Sequence, residues 1–177
     1  ARTVTTNIQN NLFVNTRSGG TGTHHAIGNN FGATASATGW SSNNNVLNAA
    51  TSANTGYWTT AQSASAWPTT SGGDAASLYG IPVTFANTAT GDLHLSMGTT
   101  PTQLESGAPL IAGLTTDFDN QTRPGPAGSV NGGAVAPDFG ADEFDGVILD
   151  LTPPTISYTA LPFTCSGTAR TLNATIA

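Results

Sequence analysis

The segment that decides the fold of this chain is residues 91–146, GDLHLSMGTTPTQLESGAPLIAGLTTDFDNQTRPGPAGSVNGGAVAPDFGADEFDG. It holds two charged, turn-rich motifs, DFDNQTRP (residues 117–124) and APDFGADEFD (residues 136–145). Both are conspicuous because only 8% of the 177 residues are charged, against about 25% in an average soluble domain. Gly, Pro and Asn interrupt the segment repeatedly, which predicts tight turns and short strands.

The remainder of the chain is rich in Thr, Asn and Gly, with 21 glycines. Thr favours strands, whereas Asn and Gly favour turns, so the composition predicts an all-β fold with many turns. The strand candidates are residues 4–14, 24–31, 40–48, 82–85, 92–95 and 139–144. Alternation in DLHL places Leu93 and Leu95 on one face of a strand and Asp92 and His94 on the other. Residues 61–67 are predicted to form a short helix that ends before Pro68.

Two similar runs suggest a repeat. NNLFVN (residues 10–15) is echoed by NNNVLN (residues 43–48). Weak similarity of this kind is typical of stacked structural repeats. Asn at recurring positions of such repeats is expected to stack its side-chain amides in a hydrogen-bonded ladder, which is a structural use of Asn.

The two acidic motifs resemble a "DFDGQ-RP … DIGADEF" signature that closes the right-handed parallel β-helix of secreted Bacteroidetes-type repeat proteins. Residues 117–124 and 137–145 carry this resemblance, with Asn120 where the family usually has Gly. It implies an all-β chain in which residues 1–150 are the C-terminal coils of a right-handed parallel β-helix (a solenoid), closed by a capping hairpin. Residues 151–177 would then be a linker, DLTPP, and the first strands of an incomplete immunoglobulin-like β-sandwich module.

The resemblance also implies an extracellular or cell-surface location, reached by type IX secretion. The expected function is that of a non-catalytic segment of a large adhesin or stalk protein, whose loops contact a glycan or a cell surface. One alternative is the C-terminal part of a polysaccharide lyase or glycoside hydrolase with its catalytic coils upstream. Another is a structural subunit of an extracellular filament, which self-assembles when a neighbouring copy completes the C-terminal strands.

Charge excludes some partners. Lys is absent, four Arg face ten carboxylates, and the formal net charge is −6. Binding to nucleic acid requires a basic surface that displaces counterions, so no nucleic acid is expected as a partner. No apolar run approaches the roughly 18 residues that span a bilayer, so membrane insertion is not expected either.

Arg123 is the only cation in the acidic region. We expect it to form a charge-assisted hydrogen bond with Asp142 or Glu143 and to fix the hairpin to the last coil. The residues expected to build this cap are Arg123, Asp117, Asp119, Asp142 and Glu143. A lyase would need a further Arg or Lys near the scissile bond, so the carboxylates are interpreted as structural and no catalytic residue is proposed.

Calcium is the one cofactor left open. The run from Asp117 to Asn120 begins like an EF-hand loop, but Thr122 replaces the required Gly and Gly128 replaces the bidentate Glu. A different calcium site formed by Asp117, Asp119 and Asp142 remains an alternative.

The histidines do not suggest a metal site. His24 and His25 are adjacent, so on a strand they point to opposite faces, and His94 stands alone on its strand. The single cysteine, Cys165, is interpreted as a half-buried strand residue.

Three large aromatic residues, Tyr57, Trp58 and Trp67, lie in an irregular part of the chain. One interpretation is that they cover the open side of the β-helix. The other is that they form an aromatic platform for sugar rings.

Overall fold

The computed structural model describes residues 6–29, 39–96, 102–125, 135–146, 156–158 and 174–176. Within these ranges the chain is mostly β structure, with one helix of five residues, α1 (Trp67–Ser71), and two 3-10 turns (Ser52–Asn54 and Thr102–Leu104). The predicted all-β class agrees with this content. The strands are β1 (Thr6–Gln9), β2 (Leu12–Asn15), β3 (Ile27–Asn29), β4 (Trp40–Asn43), β5 (Val46–Ala49), β6 (Gly56–Trp58), β7 (Thr60–Gln62), β8 (Leu78–Tyr79), β9 (Phe85–Asn87), β10 (Asp92–Leu95), β11 (Ile156–Tyr158) and β12 (Ala174–Ile176).

Parallel pairing joins segments that are distant in sequence. Strand β1 pairs with β4, β2 with β5 and then β8, and β3 with β6, all in parallel. The set β1–β2–β3 is here called the first rung and the set β4–β5–β6 the second rung. Because the strands follow in the same order in both, the second rung lies directly against the first.

The corners of the rungs are formed by Asn. The chain turns between β1 and β2 at Asn10 (φ 59°), and between β4 and β5 at Asn44 (φ 53°). Asn tolerates this left-handed conformation better than most residues. The two corners stack, since the Asn10 N–H donates to the Asn44 carbonyl at 2.7 Å.

This stacking corrects the register of the sequence repeat. The repeat matched Asn10 with Asn43, whereas the structure pairs Leu12 with Val46 and so matches Asn10 with Asn44. The sequence match aligned the two runs by their Asn residues, and this alignment is wrong by one position. The hydrophobic residues, which must share an environment, set the true register.

One step of the predicted amide ladder, between Asn11 and Asn45, forms next to these corners. The Asn11 side-chain amide donates to Asn45 Oδ1 at 3.0 Å. The Asn45 N–H in turn donates to Ser77 Oγ, at the start of the next parallel strand, at 2.8 Å. Asn45 is fully buried, so these contacts satisfy polar groups that would otherwise be costly to bury.

The helix lies later in the chain than the sequence predicts. Residues 61 and 62 of the predicted helix belong instead to β7, which pairs antiparallel with β6. Helix α1 begins at Trp67 and includes Pro68 in its first turn. Pro suits this place because the first turn of a helix does not use the backbone N–H that Pro lacks.

Three strand predictions also differ from the structure. Of residues 82–85, only Phe85 lies in a strand, β9. Leu93 is 60% exposed and Leu95 is 4% exposed, so they do not share a face. The reason is a register shift in the antiparallel pair β9–β10, between Asp92 and Leu95. Residues 139–144 form no strand. The N–H groups of Glu143 and Phe144 donate to carboxylates, and those of Phe139 and Gly140 donate to the carbonyls of two separate segments.

The C-terminal strands form a small antiparallel ribbon in which Ile156 pairs with Ile176. Two sequence predictions for this part fall outside the described residues: the linker at residues 150–154 and the setting of Cys165. The immunoglobulin-like module stays a prediction.

Two hydrophobic clusters flank β5. One, which includes Val46, joins the strands to the region of the acidic motifs through Leu104, Phe139 and Phe144. The other, which includes Leu47, lies among Trp58 and Trp67. Val46 and Leu47 are both fully buried, which explains why adjacent apolar residues occupy this central strand.

Candidate functional site

A hairpin carries the first acidic motif. Thr116 and Thr122 form an antiparallel bridge, and the Asp117 N–H donates to the Gln121 carbonyl at 3.0 Å. Asn120 adopts φ 66° at the tip. Residues 116–122 therefore form a hairpin, and Asn120 takes the left-handed position at its tip, where the resembled signature has Gly.

Asp117 organises this hairpin from inside. Its Oδ1 accepts hydrogen bonds from the N–H groups of Asp119 at 2.9 Å and Gln121 at 2.7 Å. Its Oδ2 accepts from the N–H of Glu143 at 3.1 Å. One carboxylate thus closes the turn and joins the two acidic motifs.

Arg123 and Glu143 form a buried ion pair, with Arg123 Nε 3.2 Å from Glu143 Oε1. Glu143 also accepts the N–H groups of Gly125 at 2.7 Å and Asp138 at 3.0 Å. Burial raises the pKa of Glu143, while the two N–H groups and Arg123 oppose that shift. Of the two carboxylates expected for Arg123, the structure places Glu143 beside it.

Asp138 is a buried acid that the sequence analysis did not single out. It is 0% exposed, and its oxygens accept the N–H groups of Ser106 and Phe144, each at 2.6 Å. Burial raises the pKa of Asp138 to about 7, against these two hydrogen bonds, and the charges of Glu143 and Glu105 add to the increase. One feature of the sequence is consistent with this burial: Asp138 stands between Pro137 and Phe139 in a run that is otherwise apolar.

A second acidic group surrounds His94 on β10. His94 Nε2 lies 2.8 Å from Asp119 Oδ2, and His94 Nδ1 lies 2.5 Å from Asp92 Oδ1. Asp92 and then Asp119 raise the pKa of His94 by accepting hydrogen bonds from its ring, and the charge of Asp142 acts in the same direction. The expectation that His94 stands alone is wrong, because the hairpin tip folds onto β10.

The structure alters the set of residues considered for a metal. One ligand atom each from His94, Asp119 and Asp142 lies within 4.8 Å of the others. Asp119 and Asp142 come together as expected, but His94 stands where Asp117 was expected. Asp117 is occupied elsewhere, because both of its oxygens bind backbone N–H groups.

A groove of about 560 Å³ runs between the first rung and the acidic hairpin. Its walls combine backbone from the corner at Asn10 with apolar side chains, among them Leu93, Leu114 and Phe118. Phe118 is 74% exposed and its ring packs edge-on against His94, with centroids 6.1 Å apart. This is an apolar surface at the edge of a polar cluster.

The predicted aromatic platform is wrong for the two tryptophans. Trp58 is 5% exposed and Trp67 is 0% exposed, so neither ring face is accessible to a sugar. Together with Trp40 they form a cluster of edge-to-face contacts inside the rungs. Tyr57 is half-buried and packs against His25 at 5.3 Å.

Asp74 satisfies the buried indole N–H of Trp67. Its Oδ2 accepts the indole N–H of Trp67 at 2.8 Å, and its Oδ1 accepts from Ser42, Asn45 and Ser77 at 2.7–3.0 Å. Four donors on one fully buried carboxylate tie the second rung to α1 and to the segment before β8.

Comparison with known proteins found no match: no family model, no curated protein and no solved structure resembles this chain sufficiently to be reported. No helix in the described part of the chain is long and apolar enough to cross a bilayer.

Proposed function

We propose that residues 1–150 are the terminal coils and cap of a right-handed parallel β-helix, which serves as a non-catalytic stalk or adhesin segment of a secreted or cell-surface protein. The observation that carries the proposal is the stacking of the first and second rungs, with Asn11 bonded to Asn45 and Asn45 to Ser77 across successive parallel strands. Repetition of such contacts builds an extended rod, because each repeat touches only its neighbours.

The hydrogen bonding of the acidic motifs favours a passive role. Asp117 accepts three backbone N–H groups, and Asp138 and Glu143 accept two each. A general acid or base has to exchange a proton with a substrate, whereas these carboxylates hold the backbone of the cap. Arg123, which a lyase would need near its substrate, is buried against Glu143.

Contact with a glycan or a surface is assigned to the groove. Phe118, Leu93 and Leu114 expose apolar surface there, and an exposed aromatic ring is suited to stack on the apolar face of a sugar. This surface replaces the tryptophan platform that the sequence suggested.

One observation favours the filament alternative. Among the described residues, β11 and β12 pair only with each other. A two-stranded ribbon is marginally stable by itself and offers edges to another chain. Self-assembly through the C-terminal strands therefore remains the second candidate function.

Binding to a polysaccharide panel tests the main proposal. The wild-type chain is expected to be retained on at least one immobilised glycan, Phe118→Ala to lose that binding, and Val135→Ala to keep it. Val135 is a matched control because it is 75% exposed, as Phe118 is 74% exposed, but does not line the groove. Release of reducing ends or unsaturated uronates from the same glycans would contradict the passive role.

A further inference from the structure

We propose that His94, Asp119 and Asp142 bind a divalent first-row transition metal ion of the zinc class, with Asp92 as the residue that orients His94. The proposal does not depend on the stalk function. It rests on the meeting of three separate segments: strand β10, the tip of the acidic hairpin and the second acidic motif.

The distances suit a small ion after modest side-chain rotation. The three ligand atoms lie within 4.8 Å of one another, and His94 Nε2 and Asp119 Oδ2 are already 2.8 Å apart. Zinc bound at about 2.0–2.2 Å in tetrahedral geometry places its ligands about 3.4 Å apart. The ion would therefore separate His94 from Asp119 slightly and draw the more distant atom inward.

Asp92 supplies an independent observation, because it is not one of the three ligands. Its Oδ1 contacts His94 Nδ1, which is the ring nitrogen opposite the cluster. A carboxylate on the second nitrogen of a metal-binding His fixes the ring orientation and increases the basicity of the ligating nitrogen. Here it directs Nε2 towards Asp119 and Asp142.

Asp142 is also held in place by the fold. Its Oδ2 accepts the Leu95 N–H at 3.1 Å, so one backbone bond aligns it beside the residue that follows His94. Arg123, the cation nearest in sequence, is engaged by Glu143 and by the Asp138 carbonyl. A bound cation would supply the positive charge between carboxylates that Arg123 does not reach.

The ligand chemistry favours zinc-class ions over calcium. Imidazole nitrogen is a typical ligand of zinc, copper, iron and nickel, whereas calcium takes about six to eight oxygen ligands. Asp117, which the calcium alternative required, uses both oxygens for backbone N–H groups. Three protein ligands leave a fourth position for water.

Such an ion would stabilise the region of the two acidic motifs. It would join β10 to both acidic motifs, and a ligand that binds only the folded state stabilises it by about 2.7 kcal/mol when present at about one hundred times its Kd. The predicted consequence is a melting temperature that rises with the zinc concentration.

Calorimetric titration of the EDTA-treated chain with zinc chloride tests the proposal. We expect one site per chain in the wild type, and a loss of at least about tenfold in affinity for His94→Gln, Asp119→Asn and Asp142→Asn. Asp92→Asn should cost about 10–100-fold, as expected for a residue that orients a metal-binding His. His24→Gln, which removes a different accessible imidazole, is the control and should bind like the wild type.

Two further measurements use only the wild type and therefore do not depend on whether the variants fold. In the wild type, zinc should shift the NMR resonance of His94 Nε2 and raise the melting temperature, while calcium at the same concentration should do neither. Absence of zinc binding at millimolar concentration, unchanged affinity in His94→Gln, or equal binding of calcium would each overturn the assignment.

Discussion

The carboxylate of Asp117 accepts the backbone N–H of Glu143 at 3.1 Å, and this bond joins two motifs that are 26 residues apart in sequence. Glu143 then reaches Arg123, on the same hairpin as Asp117, at 3.2 Å. The guanidinium of Arg123 also donates to the Asp138 carbonyl, and the Phe118 N–H donates to the Ala141 carbonyl. The two motifs are therefore joined by an ion pair and several hydrogen bonds.

Asp117→Asn is expected to destabilise the folded state by about 1–3 kcal/mol. The amide has a single acceptor oxygen, so it cannot serve both the two N–H groups held by Oδ1 and the part-buried N–H of Glu143 held by Oδ2. Urea unfolding in EDTA measures the change. Asp119→Asn is the matched control, since its half-exposed side chain should alter stability by less than about 0.5 kcal/mol there. Equal effects of the two variants would contradict the role given to Asp117.

Arg123→Ala is expected to cost about 3–5 kcal/mol, because it leaves Glu143 charged and buried without its partner. Arg17→Ala removes an exposed arginine and should change stability by less than about 0.5 kcal/mol. Thermal and urea unfolding of both variants give the comparison. A small effect of Arg123→Ala would mean that the ion pair does not hold the cap.

Asn45→Ala tests the amide ladder between rungs. The substitution removes the acceptor of the Asn11 backbone N–H and of its side-chain amide, and one of the three donors to Asp74 Oδ1. Leaving the Asn11 N–H without its acceptor in a part-buried site should cost about 1–3 kcal/mol. Asn87→Ala, at an exposed position on β9, should be nearly neutral. If both variants unfold at the same urea concentration, the ladder does not contribute to stability.

Gly56→Ala is expected to destabilise the inner cluster, because a Cβ at this position would lie 2.1 Å from Cε3 of Trp67. The strand must then shift, and overpacking of this kind typically costs about 1–3 kcal/mol. The control is Gly22→Ala, where nothing lies within 4 Å of the added atom. Tryptophan fluorescence during unfolding should report the loss, and no change in the midpoint would contradict the contact.

Stability should fall as the pH rises towards neutral. The pKa of Asp138 in the folded state is raised to about 7 from 3.8, so between these values the folded chain holds a proton that the unfolded chain has released. The stabilisation is complete below about pH 4 and is lost as the pH rises through about 7. The raised pKa values of Asp142 and Glu143 act in the same direction.

Asp138→Asn isolates this contribution. The variant should be less stable at every pH, because it offers one acceptor to two N–H donors, and its stability should vary less between pH 4.5 and 7.5. Urea unfolding across this range measures both effects. A pH profile parallel to that of the wild type would show that Asp138 does not titrate in the folded state.

The sequence predicted local features where a residue type has one strong preference. Asn120 at a hairpin tip and the recurring Asn of the ladder are examples, since Asn both tolerates positive φ and pairs its amide. The repeat was nevertheless shifted by one position, because the match of Asn10 depends on which apolar residues share a face in three dimensions.

Features that depend on contacts distant in sequence could not be predicted. The setting of His94 requires the hairpin tip to fold onto β10, and the exposure of Leu93 results from an irregular register between β9 and β10. The burial of Trp67 requires an indole partner, Asp74, seven residues further along the chain. Neither propensity nor alternation carries such information.

The ladder from Asn11 to Asn45 consists of neutral amides and backbone groups. Dissolved ions screen charges but have little effect on short contacts between buried dipoles. The contacts between the two rungs should therefore be nearly as strong in fresh water as in saline media. Because the surface carries few charges, ionic strength should have little effect on the rest of the chain.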